Sequence, residues 1–543
     1  MTVRQADVMT DLIADAVVIG AGPNGLVATC RLADAGWDVV LLEANDDVGG
    51  AVRSAELNPG WTTDLFSAFY PLAAASPGLQ RLDLHHHGLQ WSHSEAVVGH
   101  PHGADSDRAA ILHRRPEDTA AALERYAPGD GDTWLELVAD WQRLREPLLR
   151  VLFGPFPPVR AAIGILREAG GAPAALRLAR RLLLPVTRLG DELFQGLDGK
   201  LLLAGSAMHA DIPAVSTASG GFGWLMTMLA QDVGFPVPVG GAGKLSQALA
   251  ARARAAGAQI ITGSRVEQVV VGGHRALGVI TADGRRVLAR RAVLADVAAP
   301  TLYGSLLPAS ALPSRLLAQM RHFDWDLPTV KLNWAMDAQI PWRAKELAGA
   351  GTVHLGADDV ELAEWSASLA AGRPSPHTFM LLGQMATADR TRAPAGGDSV
   401  WAYSHLPRIR PGSSPEPGQA AELATRMEKT LEEFAPGFAD HVVHRMLQLP
   451  EDLESEDANL ASGAVNGGTA QLHQQLIFRP IPGLGRPETP IENLYLAGAS
   501  AHPGGGVHGG AGDSAALAAL RNARLKGVPG RLFTAANRYL AGD

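Results

Sequence analysis

Apolar and polar residues fall into blocks of different period along this 543-residue chain. The first block runs from Asp15 to Glu43. Its unbroken apolar run, Ala16 to Ile19, predicts a buried parallel strand. A helical pattern follows over Leu26 to Ala35 and closes at Gly36. A second strand, Asp38 to Leu42, ends on Glu43. From Asp118 to Leu203 the period turns helical, and Thr133 to Leu149 carries apolar residues three and four apart. Val159 to Asp191 is amphipathic too, with Arg160, Arg167, Arg177, Arg180, Arg181 and Arg188 interleaved with Leu, Ile and Val. That stretch suits cap helices whose arginines face water or pair with acids. It equally suits docking on an anionic membrane surface.

An uncharged run, Ile212 to Gln231, is long enough to cross a bilayer. It holds Pro213, Gly220, Gly221, Gly223 and several Ser and Thr, so the expectation is a buried, pocket-lining segment. Beyond it come a helix Lys244 to Ala256, a turn at Gly257 and a strand Gln259 to Thr262. Strands Val266 to Val271, Ala276 to Thr281 and Arg290 to Leu294, with turns at Gly272-Gly273 and Asp283-Gly284, predict a β-meander returning to the parallel sheet. Short alternating runs between Leu327 and Leu406 (Thr329 to Met336, Thr378 to Gln384, Ser399 to His405) predict a second, largely antiparallel sheet. Trp334, Trp342, Trp365 and Trp401 lie among them as core residues, some lining an apolar pocket. Ala420 to Phe434 reads as a helix charged on one face. Near the end, a strand Leu494 to Ala497 enters a glycine turn, Pro503 to Gly510, followed by a small-residue helix from about Gly512.

Composition narrows the classes. At 46% hydrophobic and 19% charged, the chain has material for a large core and two or more lobes. A net charge of −9 gives no basic excess for nucleic acid. The single cysteine, Cys30, excludes an internal disulfide and a thiolate zinc cluster, and reads as a small core residue. The first residues, MTVRQADVMTDLIAD, are polar and lack an apolar signal region, so the default location is cytoplasmic. The histidine-rich stretch Leu84 to His113 has no helical ligand pair and reads as solvated loop and sheet edge, with no metal site. Gly243-Lys244 fails as a phosphate loop, because position 238 is proline and Leu245 replaces the required hydroxyl residue.

Chemistry enters with Gly20, Gly22 and Gly25 in G-x-G-x-x-G spacing between the first strand and its helix. Gly20 permits the sharp turn, Gly22 admits a pyrophosphate to the backbone, and Gly25 lets the helix pack on the strand. The helix N-terminus favours phosphate. Glu43, at the end of the second strand, suits a ribose. Gly49-Gly50 follow closely, matching the flavoprotein pattern D-x-x-x-x-G-G. Asp64 and Ser67, just after, are candidates to touch a flavin or to serve a turn. The glycines of the last block permit close approach to a flat ring, and the helix behind them can stabilise negative charge on a reduced flavin. No second nucleotide loop is present, which argues against a reductase drawing on bound NADPH.

Three blocks carry a resemblance: GAGPNGLVA with Glu43 and Gly49-Gly50, PVGGAGKLSQAL, and LYLAGASAHPGGGVHGG. Together they resemble the phytoene desaturase-like flavoproteins. With TADRTRAPAGGDSVWAYSHLP (Thr387 to Pro407), the chain is most similar to the branch of pyridine nucleotide-disulfide oxidoreductase domain-containing protein two. The resemblance implies an α/β, Rossmann-like FAD-binding domain of the amine oxidase and phytoene desaturase type with an α+β substrate domain. It divides the chain into 12–83, 235–310 and 470–543 for FAD, and 84–234 with 311–469 for substrate, including a helical, membrane-facing part at 118–203. It implies FAD, an apolar substrate such as a carotenoid or other isoprenoid, and peripheral membrane association. It places Gly20, Gly22, Gly25, Glu43, Gly49, Gly50, Val266, Gly498 and Val507 at the cofactor, with their neighbours Pro23, Asn24, Ala44, Ala51, Arg53, Ala499 and Gly506. Val266 is the residue whose amide pairs with adenine. Ala51, not arginine, follows the glycine pair, and Arg53 stands two later.

The expected reaction is hydride removal to the flavin with loss of a proton from the neighbouring carbon, electrons passing on to oxygen or a quinone. His508 is the first candidate base and His502 the second; either could cap its loop instead. Three alternatives stay open: a flavin amine or alcohol oxidase, a redox-neutral isomerase, and a non-catalytic interaction protein on the FAD fold. The sequence gives no oligomeric state.

Overall fold

The computed structural model describes residues 11–409, 416 and 418–540. Most of the polar N-terminal stretch, residues 1–10, lies outside the described residues. Its strands, in chain order, are β1 (Leu12–Ile19), β2 (Val39–Leu42), β3 (Ser54–Asn58), β4 (Trp61–Asp64), β5 (Trp91–Ser92), β6 (Ala96–Pro101) and β7 (Ala109–His113). Then come β8 (Val237–Pro238), β9 (Gln259–Ile261), β10 (Val266–Gly272), β11 (Arg275–Thr281) and β12 (Arg286–Ala295). The last are β13 (Thr329–Met336), β14 (Ala350–Leu355), β15 (Met380–Gln384), β16 (Asp398–His405), β17 (Val442–Gln448) and β18 (Leu494–Leu496).

The first sheet runs β10-β11-β12-β1-β2-β9, with β18 also on β12. The pairs β12–β1, β1–β2, β2–β9 and β12–β18 are parallel. The meander β10–β11–β12 is antiparallel and returns the chain to the parallel layer as expected. β12 serves both parts: Arg286 to Leu288 pair with β11 and Val293 to Ala295 with β18. The stretches Ala16–Ile19, Val39–Leu42, Ala292–Ala295 and Leu494–Leu496 are apolar and buried because both faces are covered there. One face packs on the helices Pro23–Asp34, Gly243–Ala255 and Gly510–Arg524; Cys30 is buried there, its thiol pushed up to about 12 by burial.

The second sheet runs β17-β13-β16-β15-β14-β6-β7, antiparallel except for β14 beside β6. Its β6 and β7 come from the histidine-rich stretch, which corrects the loop expectation: His100 on β6 is fully buried, not solvated. One face of this sheet packs on the helix Gln419–Phe434. The other faces a helical lobe between residues 116 and 232. Trp134, Trp141 and Trp224 fill that lobe's core, and all four tryptophans noted above are buried. Half of the basic stretch is neutralised: Arg180 and Arg188 pair with Glu192 at 2.7 and 2.9 Å, and Arg181 with Asp140 at 2.7 Å. The run Ile212 to Gln231 ends in the helix Ser219–Asp232, and no described helix is long and apolar enough to cross a membrane.

A buried staple ties the segment after β15 to the β3–β4 hairpin and the glycine loop. Arg392 reaches Asp64 and Asp389 at 3.1 and 3.0 Å, with all three side chains buried. Asp389 also accepts from the Gly240 amide at 2.7 Å, and Asp64 from the Ala242 amide at 2.8 Å. The TADRTRAP segment therefore clamps the β3–β4 hairpin and the glycine loop at 240–243. A buried charge of this kind is retained only when it is paired.

Candidate active site

β1, the glycine turn and the helix Pro23–Asp34 form one unit. Pro23 starts the helix where its missing N–H costs nothing. The glycines are required by space. A Cβ at Gly25 would stand 2.0 Å from the Gly20 carbonyl oxygen, and one at Gly20 2.7 Å from that of Asp296. Gly20 also has φ +92°, a conformation that side chains resist. The late helix Gly510–Arg524 crosses closely behind, where a Cβ at Gly512 would meet the Asn24 carbonyl oxygen at 1.9 Å.

Two acids end the two parallel strands that flank β1, at the carboxyl edge where open α/β sheets take ligands. Glu43, past β2, accepts from the Ala21 amide at 2.7 Å and the Asn45 amide at 2.9 Å. Asp296, past β12, accepts from the Gly25 amide at 2.7 Å. Burial pushes Asp296 up to about 8, and the nearby charges of Asp457 and Glu43 add to the rise. Asp457 arrives from the other lobe with Asn459, whose side chain accepts from the Ala298 amide at 2.8 Å. Sequence reasoning missed Asp296, although an acid at the end of a parallel strand is the signal that marked Glu43.

A single cavity starts here. Gly20, Gly22, Pro23 and Asn24 line it, as do Glu43, Ala44, Gly50 and Ala51, then Val266, Ala499, Gly506, Val507 and His508. The Asn24 side-chain oxygen is buried without a partner among the described residues, open to a hydroxyl donor. Gly25, Gly49 and Gly498 stand behind the lining. Arg53 is not in the lining: its guanidinium donates to the Gly50 carbonyl at 3.0 Å and meets Glu456 at 3.1 Å. Asp64 is absent as well, spent on the buried staple, whereas Ser67 lines the cavity and donates to the Ala51 carbonyl at 2.8 Å.

Neither histidine offers a ready base. His508 lines the cavity, but its Nδ1 accepts from the Gly510 amide at 2.9 Å and its Nε2 lies 3.2 Å from the Gly505 carbonyl. Both nitrogens hold the turn, and burial lowers the ring to about 4. His502 stands outside the lining, edge-on to Phe156 at 5.7 Å.

Beyond the glycine turn the cavity widens into an apolar chamber. Phe69, Phe222, Leu225, Met226, Phe235 and Trp401 form its walls. Trp401 and Tyr403, neighbours on one face of β16, stack with centroids 6.0 Å apart. One cation faces them. Lys331 on β13 is buried, its Nζ donating to the Asp64 carbonyl and to Asn333 Oδ1, each at 2.6 Å. Burial lowers this amine to about 7 against the pull of Asp64. The alternation that correctly marked β13 gave no sign of it, because its partner Asp64 is far away in the chain.

This geometry is that of a flavoprotein. The chain belongs to the family of flavin containing amine oxidoreductases, which matches residues 24–396. It is similar to pyridine nucleotide-disulfide oxidoreductase domain-containing protein 2 of Rattus norvegicus, at 28% identity over 94% of this chain and 93% of that protein. Phytoene desaturase (lycopene-forming) of Pseudescherichia vulneris is 25% identical over 93% of this chain and 98% of its own length. Among solved structures, an oxidoreductase from Methanosarcina mazei superposes with a TM-score of 0.59 at 16% identity, covering 93% of this chain and 99% of the other, which shows the fold. The protein is an FAD-dependent oxidoreductase.

Proposed function

We propose that the chain dehydrogenates an apolar, isoprenoid-like molecule in the chamber beside its FAD. One observation carries the reading: a single cavity lined at one end by the glycine turn and Glu43 and at the other by Phe69, Phe222, Leu225, Met226, Phe235 and Trp401. Such walls exclude water and reward burial of hydrocarbon, at about 25 cal/mol per Å². They offer no carboxylate to hold an ammonium. The similarity to a phytoene desaturase supports the same substrate class.

The discontinuous division into 12–83, 235–310 and 470–543 for FAD and the rest for substrate belongs to this reading. Glu43 would hold ribose hydroxyls, the Val266 amide the adenine, and the backbone from Gly22 to Asn24 and at Gly50 the pyrophosphate. Gly506 and Val507 would lie against the flavin. Bound FAD supplies a hydride acceptor, and oxygen or a quinone takes the electrons onward. Lys331 is the group that receives the proton. As a neutral amine it has two N–H bonds, both donated, to Asp64 and Asn333, which leaves its lone pair free. His508, with both nitrogens engaged, holds the loop beside the ring.

Substrate of this kind resides in membranes. The helices Val159–Glu168 and Ala172–Leu183 expose Val159, Ile163, Leu166, Leu176 and Leu183 between Arg160, Arg167 and Arg177, a surface suited to peripheral docking. Incubation of the protein with isoprenoid hydrocarbons and alcohols, with oxygen or a quinone present, tests the reading. The expected product is lighter than its substrate by two hydrogens. Turnover of primary amines with none of the isoprenoids would overturn it in favour of an amine oxidase.

A further inference from the structure

The polar part of the chamber wall is small and built to a pattern. Thr352 on β14 lines the cavity, and its hydroxyl is buried without a partner among the described residues. His354, two residues on, shares that face of the strand. Its Nε2 lies 3.0 Å from Nε2 of His209, which lines the same cavity. Two imidazoles so placed require one donor and one acceptor, so at least one ring is neutral. Burial agrees: it lowers His209 to about 4 and His354 well below its ordinary value. The pairing uses one nitrogen of His209. Its Nδ1 has no partner among the described residues.

Glycines make room for this arrangement. A Cβ at Gly205 would stand 2.1 Å from Nδ1 of His354, and one at Gly383 2.3 Å from the Trp401 indole. Thr352, Gly383 and Trp401 are in register across β14, β15 and β16. The indole therefore lies across Gly383 as an apolar bed. Lys331 is on β13 and Thr352 on β14, three strand spacings apart in the order β13-β16-β15-β14 and two residues out of register, since Lys331 pairs with Tyr403; the separation is about 16 Å. The bed has a polar group at each end.

We propose that Thr352 and His209, the latter held by His354, form a subsite for a single hydroxyl or carbonyl oxygen on an otherwise apolar substrate, remote from the carbon that Lys331 faces. The proposal rests on the apolar-substrate reading above and adds to it that the natural substrate is not a bare hydrocarbon. A buried hydroxyl with no partner is costly to leave empty-handed, and one substrate oxygen satisfies it while also meeting the half-buried His209 ring that lines the same cavity.

Farnesol and farnesene, an isoprenoid alcohol and hydrocarbon of the same carbon number, serve as probes. Binding to the flavin-loaded full chain is read from quenching of tryptophan emission, since Trp401 borders the cavity. Thr352→Val should weaken farnesol about fivefold and leave farnesene within about twofold, the scale of one net hydrogen bond. Thr352→Ser should keep the wild-type affinity for both, and His209→Phe should repeat the valine result. Because Thr352→Val replaces an unpartnered hydroxyl with a methyl, its Tm should not fall. Farnesol binding unchanged in Thr352→Val and His209→Phe, or lost in parallel with farnesene, overturns the subsite and leaves the apolar-substrate reading standing. Failure of both probes to bind the wild type overturns that reading and the subsite with it.

Discussion

Burial beside Asp457 and Glu43 raises Asp296 to about 8, next to the turn from Gly20 to Gly25. The sign of its effect follows. Between its ordinary 3.8 and its folded value of about 8, the folded chain keeps a proton that the unfolded chain has released. Stability therefore falls as pH rises through that window, and the loss is complete above it. Asp296→Asn stays neutral at every pH and keeps an acceptor for the Gly25 amide. Its urea midpoint, measured on the flavin-free protein, should vary less between about pH 4 and pH 8 than the wild type's. An unchanged slope would remove Asp296 as the cause. Lys331 shifts the other way, to about 7, so its neutral, proton-accepting form grows as pH rises through that value. The expected kcat/KM profile rises near pH 7. Lys331→Met should lose that limb and about 10²-fold or more in turnover. At this scale the sequence was legible where the signal is local: Glu43 follows from its place at the end of a strand. Lys331 was not, because its burial and its shifted proton affinity depend on the Asp64 carbonyl, 267 residues away.

Among the elements, the dinucleotide unit from β1 to Glu43 was readable nearly residue by residue, since strand, glycine turn and helix are fixed by neighbours in the chain. The same holds for the meander β10 to β12 and for β13. The histidine-rich stretch misled because β6 and β7 gain their burial from β14 and the helical lobe, which no local pattern reveals. The arginines at 180 and 181 likewise find Glu192 and Asp140 only after the helices pack, whereas Arg188 meets Glu192 one turn on in its own helix. The backbone at Ala499, just before the final glycine turn, is tied to residues 466–469 by Arg479, fully buried without a carboxylate partner among the described residues. Its guanidinium donates to the Ala499 carbonyl at 2.7 Å, Thr469 at 3.0 Å and Gly467 at 3.1 Å. Only a planar fork serves several carbonyls at once. Arg479→Lys should cost about 3 kcal/mol of stability, as buried carbonyls lose their donors. It should also lower the flavin content of the purified protein. Thermal unfolding and the ratio of visible to ultraviolet absorbance check both, and wild-type values in the two would deny Arg479 this role.

The whole molecule is two seven-stranded sheets and a helical lobe around one cavity. The buried ion pairs of Arg392 with Asp64 and Asp389 fasten the β3–β4 hairpin to the segment after β15, and the dinucleotide turn and the aromatic chamber line one cavity. That joining is the central claim, and it was beyond the reach of the sequence, which displayed a cofactor motif and scattered tryptophans without the distance between them. Anaerobic mixing of the flavin-loaded protein with an isoprenoid alcohol such as farnesol, and separately with a primary amine such as putrescine, tests it most directly. The account predicts that the isoprenoid bleaches the visible flavin band and that the amine leaves it unchanged. Bleaching by the amine alone would contradict the account and assign the chamber to an amine oxidase.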